Sequence, residues 1–155
     1  VLCFNDNGQV VDVLGPPAGL RPAVYGILIE NDQVLLQPHE QSSLWQPPGK
    51  VLEAGETPTA ALLRCFQAAA GILPAITGLL FAEDRCWLDG EGKVWRLSAL
   101  YYGLKRPTAG VAGMINFDSA ARPEWFPLEN LTRDKMLLGF EAVEAGRVRE
   151  ELALS

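Results

Sequence analysis

The densest group of side chains able to do chemistry lies between Trp45 and Gly71. It opens with Trp45-Gln46-Pro47-Pro48-Gly49-Lys50-Val51-Leu52-Glu53-Ala54-Gly55-Glu56-Thr57-Pro58 and continues through Arg64 and Cys65. Two loop carboxylates, Glu53 and Glu56, can hold a weakly bound, mostly hydrated divalent cation if a ligand supplies further oxygens. A structural reading competes with this one. Glu56 stands where a helix dipole favours negative charge, and Arg64 can pair with it and hold the loop against the helix. Other chemistries are poorly provided for. His39 is the only histidine, which removes the two-histidine metalloprotease motif and leaves any Ser-His-Asp arrangement to be built around His39 alone. A zinc site from Cys65, Cys86 and His39 has none of the close-pair spacing of such sites. Cys65, mid-helix beside Phe66 and Ala68, reads as a buried, inert thiol. Trp45, Trp87, Trp95 and Trp125 could stack a nucleobase but read better as core aromatics.

The elements around this group follow from punctuation and periodicity. Gly15-Pro16-Pro17-Ala18-Gly19 separates an N-terminal strand or hairpin, with its linker occupying residues 1–20, from the main body. Apolar runs at Ala23 to Glu30 and Gln33 to Gln37, joined through Asn31-Asp32, predict a hairpin. Leu44 to Gly55 reads as loop. Thr57 is placed to cap and Pro58 to start a helix running to Ala70, with Gly71 just beyond its last turn. Strands are expected at Leu79 to Leu88 and Val94 to Leu104, around an Asp89-Gly90-Glu91-Gly92 turn. Pro107 to Pro123 is irregular, Trp125 and Phe126 are extended, and helical spacing runs from Asp134 through Met136, Leu137, Phe140, Val143, Val148 and Leu152. The expected class is α/β (α+β), a mixed sheet sandwiched between helices. The central helix is apolar on almost every side, which predicts cover by the sheet and then by loops or a second subunit, a possible homodimer.

The stretch from Trp45 to Pro58, with its continuation through Arg64 to Gly71 and Ile72, resembles the Nudix box, the signature of the Nudix hydrolase superfamily. The flanks agree, from Ala23 to Trp45 and at Glu124-Trp125-Phe126-Pro127-Leu128. The resemblance covers nearly the whole chain from Arg21 onward and implies a Nudix fold, a nucleoside diphosphate linked to another group as ligand, and metal-assisted attack of water on a phosphoanhydride. Glu56, Arg64, Gly71 and Ile72 match the box, whereas Lys50 stands where its first glycine is usual. Family members hold magnesium or manganese with helix glutamates, and the usual positions here carry Cys65, Ala68 and Ala69. Such positions, i, i+3 and i+4, share one helix face. A thiol is soft and an alanine offers no ligand, so magnesium or manganese binding is expected to be weak, with Glu56 its remaining ligand. By the same resemblance Glu53 and Glu56 are the catalytic candidates, and Lys50 and Arg64 the ligand-binding ones. The Lys50 ammonium would supply fixed positive charge beside a diphosphate. Glu83, Asp84 or Glu124 could rescue metal binding.

Composition bounds these readings. The chain has 155 residues, the size of one domain, with 48% hydrophobic and 21% charged residues. A net charge of −6 opposes binding to a nucleic acid duplex. No apolar run is long enough to span a membrane, and Val1 opens no signal-peptide pattern, although a chain starting without Met can have lost a leader. Cys3, Cys65 and Cys86, odd in number and widely spaced, are expected to be free thiols in a reducing compartment, which places the protein in the cytoplasm. The function expected is binding or slow hydrolysis of a nucleotide-like small molecule, the usual metal-dependent activity being weak or absent. The alternatives are a non-catalytic nucleotide-ligand-binding or interaction module and a purely structural partner.

Overall fold

A computed structural model describes residues 1–39, 42–107 and 123–154. In chain order the elements are β1 (Leu2–Asn5), β2 (Val10–Asp12), β3 (Gly19–Glu30), β4 (Gln33–Pro38), β5 (Trp45–Gln46), β6 (Gly49–Val51), α1 (Pro58–Ala70), β7 (Ala75–Leu88), β8 (Val94–Lys105), β9 (Glu124–Pro127) and α2 (Phe140–Leu154). Single 3-10 turns at Leu128–Asn130 and Arg133–Lys135 lead into α2. The sheet runs β2-β1-β7-β8-β3-β4-β5, with β6 added to β3 and β9 to β4. It is mixed. The β3–β8 and β1–β7 pairs are parallel and the other ladders antiparallel.

Alternation along β3 decides what each face buries. Ala23, Tyr25 and Ile27 join Tyr101, Leu138, Ala142 and Val143 in one core cluster, which contains the inner face of α2. Val24 and Leu28 point the other way, into a cluster with Leu62, Phe66 and Ala70 of α1. A strand buried on both faces by helices reads as a continuous apolar run, as Ala23 to Ile29 does. Asn31 (φ 51°) and Asp32 (φ 59°) both take left-handed backbone, which makes the β3–β4 turn one whose twist suits a two-residue hairpin.

The edge of β3 is shared. Ala23 to Tyr25 pair with Val51 to Gly49 of β6, whereas Ile29 and Glu30 pair with Val34 and Gln33 of β4. Gly49 has no room for a side chain there, because a Cβ would overlap the Val24 carbonyl oxygen and crowd the Tyr25 ring. The segment expected as loop from Leu44 to Gly55 therefore contains two short strands, β5 and β6. Their pairing partners lie in β4 and β3, beyond the reach of local pattern.

The central helix has the expected bounds. Pro58 sits in its first turn, and Gly71, at φ 65°, returns its N–H to the Gln67 carbonyl at 3.0 Å. Thr57 makes no side-chain cap; its carbonyl takes the first helical bond, from Ala61, at 3.0 Å. Within the single chain this helix is covered on part of its surface only. Ala61, Leu62, Phe66, Ala69 and Ala70 are buried, but Ala60, Arg64, Gln67 and Ala68 are exposed and Cys65 is half-buried. The C-terminal helix also begins later than its spacing suggested. Met136, in extended backbone, and Leu137 are core residues before Gly139, while Val148 and Leu152 on the helix face solvent. Residues 108–122, in the stretch expected to be irregular, lie outside the described residues.

The cysteine reading is overturned. Cys3 in β1 and Cys86 in β7 form a disulfide, with Cα atoms 4.5 Å apart, and Cys65 is the remaining free thiol. Parallel pairing of Phe4 with Trp87 and Asn5 with Leu88 brings Cys3 opposite Cys86. The argument for a reducing compartment loses its premise. No helix among the described residues is long and apolar enough to cross a membrane.

Candidate functional site

The expected site residues come together on one side of the sheet. Strand β6 carries Lys50, the turn after it carries Glu53 and Glu56, and the second and third turns of α1 carry Arg64, Cys65, Ala68 and Ala69. With Gln37, Gly49 and Ala61 these residues line an open groove of about 520 Å³. Its floor is apolar and its rim charged. Cys65, Ala68 and Ala69 face the groove as their spacing required, Ala68 exposed, Cys65 half-buried and Ala69 buried.

Glu56 is the hub. Its Oε1 accepts the Glu53 backbone N–H at 2.8 Å and lies 3.0 Å from Lys50 Nζ. Its Oε2 accepts from Arg64 Nη2 at 2.7 Å and from Lys50 Nζ at 3.3 Å. The Glu53 N–H and the Lys50 ammonium, followed by the Arg64 guanidinium, hold the Glu56 carboxyl below the usual carboxylate range. Both oxygens are thus engaged by donors, and little lone-pair capacity is left for a cation. Burial pushes the Cys65 thiol up, with the Lys50 ammonium opposing, so the sulfur facing the groove is protonated at neutral pH. The structural pairing of Glu56 with Arg64 is therefore present, and Lys50 joins it.

Magnesium and manganese require several oxygen ligands in regular geometry. Besides its two cations and Gly49, the groove offers Glu53 alone as an exposed carboxylate, the Gln37 amide, a committed Glu56, a protonated thiol and three alanines. These residues do not fit such an ion. Among the described residues no cluster of three metal-ligating side chains occurs. The proposed rescuers lie elsewhere. Glu83 accepts the Tyr101 hydroxyl at 2.7 Å and lines a different cavity; Asp84 is opposite Ser98 on β7, and Glu124 is opposite Leu36 on β9.

Lys50 has a second surface. It also lines a cleft of about 180 Å³ formed by Phe4, Tyr25, Trp87 and Leu97, with Asp6, His39 and Gln46 as polar members. Trp87, read from sequence as core, packs against the core and donates its indole N–H to Asp6 Oδ1 at 2.9 Å. Trp45 packs edge-on to Phe126, Trp125 packs beside α1, and Trp95 lies under the Arg21 guanidinium. Through Leu137 and Leu138 the cleft adjoins a third cavity of about 550 Å³ bearing Glu83, Arg85, Arg133, Asp134 and Glu141. Sequence reasoning missed the cleft, because its walls come from six strands distant along the chain.

Comparison with known proteins bears on this geometry. The pattern describing the NUDIX domain matches residues 19–145. An RNA pyrophosphohydrolase of Halorhodospira halophila is 30% identical over 140 residues, covering 73% of this chain and 72% of that protein. A NUDIX hydrolase from Nitrosomonas europaea superposes with a TM-score of 0.62 at 14% identity, over 84% of this chain and 90% of that one. An ADP-ribose pyrophosphatase from Streptococcus suis superposes with a TM-score of 0.61 at 14% identity, over 87% and 92%. The two superpositions show a shared fold.

Proposed function

The chain belongs to the NUDIX family, and from that premise we propose that it binds a nucleoside-diphosphate-linked small molecule in the Lys50–Arg64 groove and hydrolyses it slowly or not at all. The observation that carries the reading is the pair of cations gathered on Glu56 beside an apolar floor. A diphosphate is a multivalent anion, and an ammonium and a guanidinium held close together can share its charge where relatives use metal. Glu56 keeps both cations in place; Glu53 is the remaining carboxylate able to orient a water. Catalysis by the family's metal route has little support here, because losing even one charge-stabilising group costs on the order of a hundredfold in rate. The reading thus stands close to a non-catalytic ligand-binding module. A cytoplasmic site of action is part of the proposal, and the Cys3–Cys86 bond is the observation opposing it.

Calorimetric titration with inorganic diphosphate and ADP-ribose, in chelator and then in magnesium, tests this. Binding is expected in chelator and little changed by magnesium. Lys50→Ala and Arg64→Ala should each weaken it about tenfold, as expected for a lost hydrogen bond between charged groups. Turnover near one per second or faster, abolished by chelator, would overturn the reading. The likeness to an RNA pyrophosphohydrolase favours a second ligand, the pyrophosphate of an RNA end. The net charge of −6 opposes it, and a short 5′-triphosphate RNA in the same titration distinguishes the two.

A further inference from the structure

The N-terminal hairpin is held to the rest of the chain at few points. Among the described residues β2 pairs with β1 alone, and β1 joins β7 over two registered pairs, Phe4 with Trp87 and Asn5 with Leu88. Phe4 is buried in the main core cluster and Gly8 lies against Leu44, and three successive residues of β7 add further ties. The Arg85 guanidinium lies 4.0 Å from the centre of the Phe4 ring, Cys86 is bonded to Cys3, and the Trp87 indole donates to Asp6. Phe4 and Asp6 in turn form one wall of the aromatic cleft that contains Lys50. The covalent bond therefore fixes a wall of a cavity as well as an edge of the sheet.

We propose that the Cys3–Cys86 disulfide is a redox latch on this cleft, closed when oxidised and released by a dithiol reductant. Cys3 is 1% exposed, whereas Cys86 is half-buried and is the sulfur an external thiolate reaches. Attack there makes a mixed disulfide with Cys86 and expels Cys3 as thiolate. The second sulfur of the reductant then displaces Cys86. The protein gains two electrons and two protons, and the reductant becomes a cyclic disulfide. Two backbone pairs, one hydrogen bond, one ring contact, the buried Phe4 ring and the Gly8–Leu44 contact then hold an edge hairpin, a unit small enough to open without global unfolding. Released, it carries Phe4 and Asp6 away from Trp87 and opens the cleft beside Lys50.

The test needs no ligand. Thiol counting and intact mass on the unreduced, denatured chain should give one free thiol, that of Cys65. Hydrogen exchange read by mass spectrometry, with and without dithiothreitol, should show exchange across residues 2–13 rising at least tenfold on reduction while α1 stays unchanged. Cys3→Ser should reproduce the reduced pattern without reductant; if that variant does not fold, the wild-type comparison decides alone. Three free thiols in the unreduced chain would overturn the proposal. So would unchanged hairpin exchange on reduction, or a rise of equal size throughout α1, which would make the bond a staple of the whole fold.

Discussion

Glu56 is where charge, backbone and ligand cations meet, so it should report on acid. Its carboxyl is held below the usual value of about 4.3 by the Glu53 N–H and by Lys50 and Arg64. The folded chain therefore binds this proton less tightly than the unfolded chain. The stabilisation is complete above the ordinary glutamate range and is lost as pH falls through the folded value. Urea unfolding of wild type and Glu56→Gln across pH should show a gap at neutral pH that closes in acid; a gap independent of pH would mean that the carboxylate charge is not what holds the loop. Sequence spacing made the Glu56–Arg64 pair legible, since both residues flank one helix start. Lys50 was harder to place. Its approach to Glu56 depends on β6 lying against β3, a pairing made across a long stretch of chain that no local pattern encodes.

At the scale of elements, β6 and α1 set the groove between them. Gly49 fits β6 against β3 with no space for a methyl group, so Gly49→Ala must push the strand outward. A cost of about 1–3 kcal/mol is expected from such overpacking, with weaker diphosphate binding because Lys50 moves with the strand; denaturant titration beside calorimetry checks both. The helix allows the converse experiment. Cys65, Ala68 and Ala69 all face the groove, so Cys65→Glu, Ala68→Glu and Ala69→Glu together would place three carboxylates beside Glu53. Metal-dependent hydrolysis should rise in this variant, measured by phosphate release after circular dichroism has confirmed folding. Ala69 is 7% exposed, and burying charge there is the main hazard. The helix was legible almost residue for residue because Pro58, Gly71 and the apolar spacing are local signals. Its open side was not, because exposure depends on what the sheet and the turn after β6 leave uncovered.

Over the whole molecule the same contrast separates the mixed sheet, readable from alternating runs and two helices, from the disulfide. Three unpaired-looking cysteines gave no hint of it, since the partnership of Cys3 and Cys86 exists only once β1 lies parallel to β7. One further feature governs how the chain reaches this state. Strand β3 pairs in parallel with β8 over ten residue pairs, from Gly19 with Trp95 to Leu28 with Leu104, and parallel strands cannot be joined by a tight turn. The β3–β4 and β7–β8 hairpins can zip locally, but the ladder that unites them must wait for a long loop to close. The folding rate should therefore be set in the centre of the sheet. Val24→Ala, on β3, is expected to slow refolding, whereas Ala142→Gly, on the C-terminal helix, should mainly speed unfolding, as stopped-flow chevrons of the two variants would show. Until that ladder forms, the surfaces of Lys50 and Trp87 have no common framework, and the aromatic cleft between them is among the last parts of the chain to come into being.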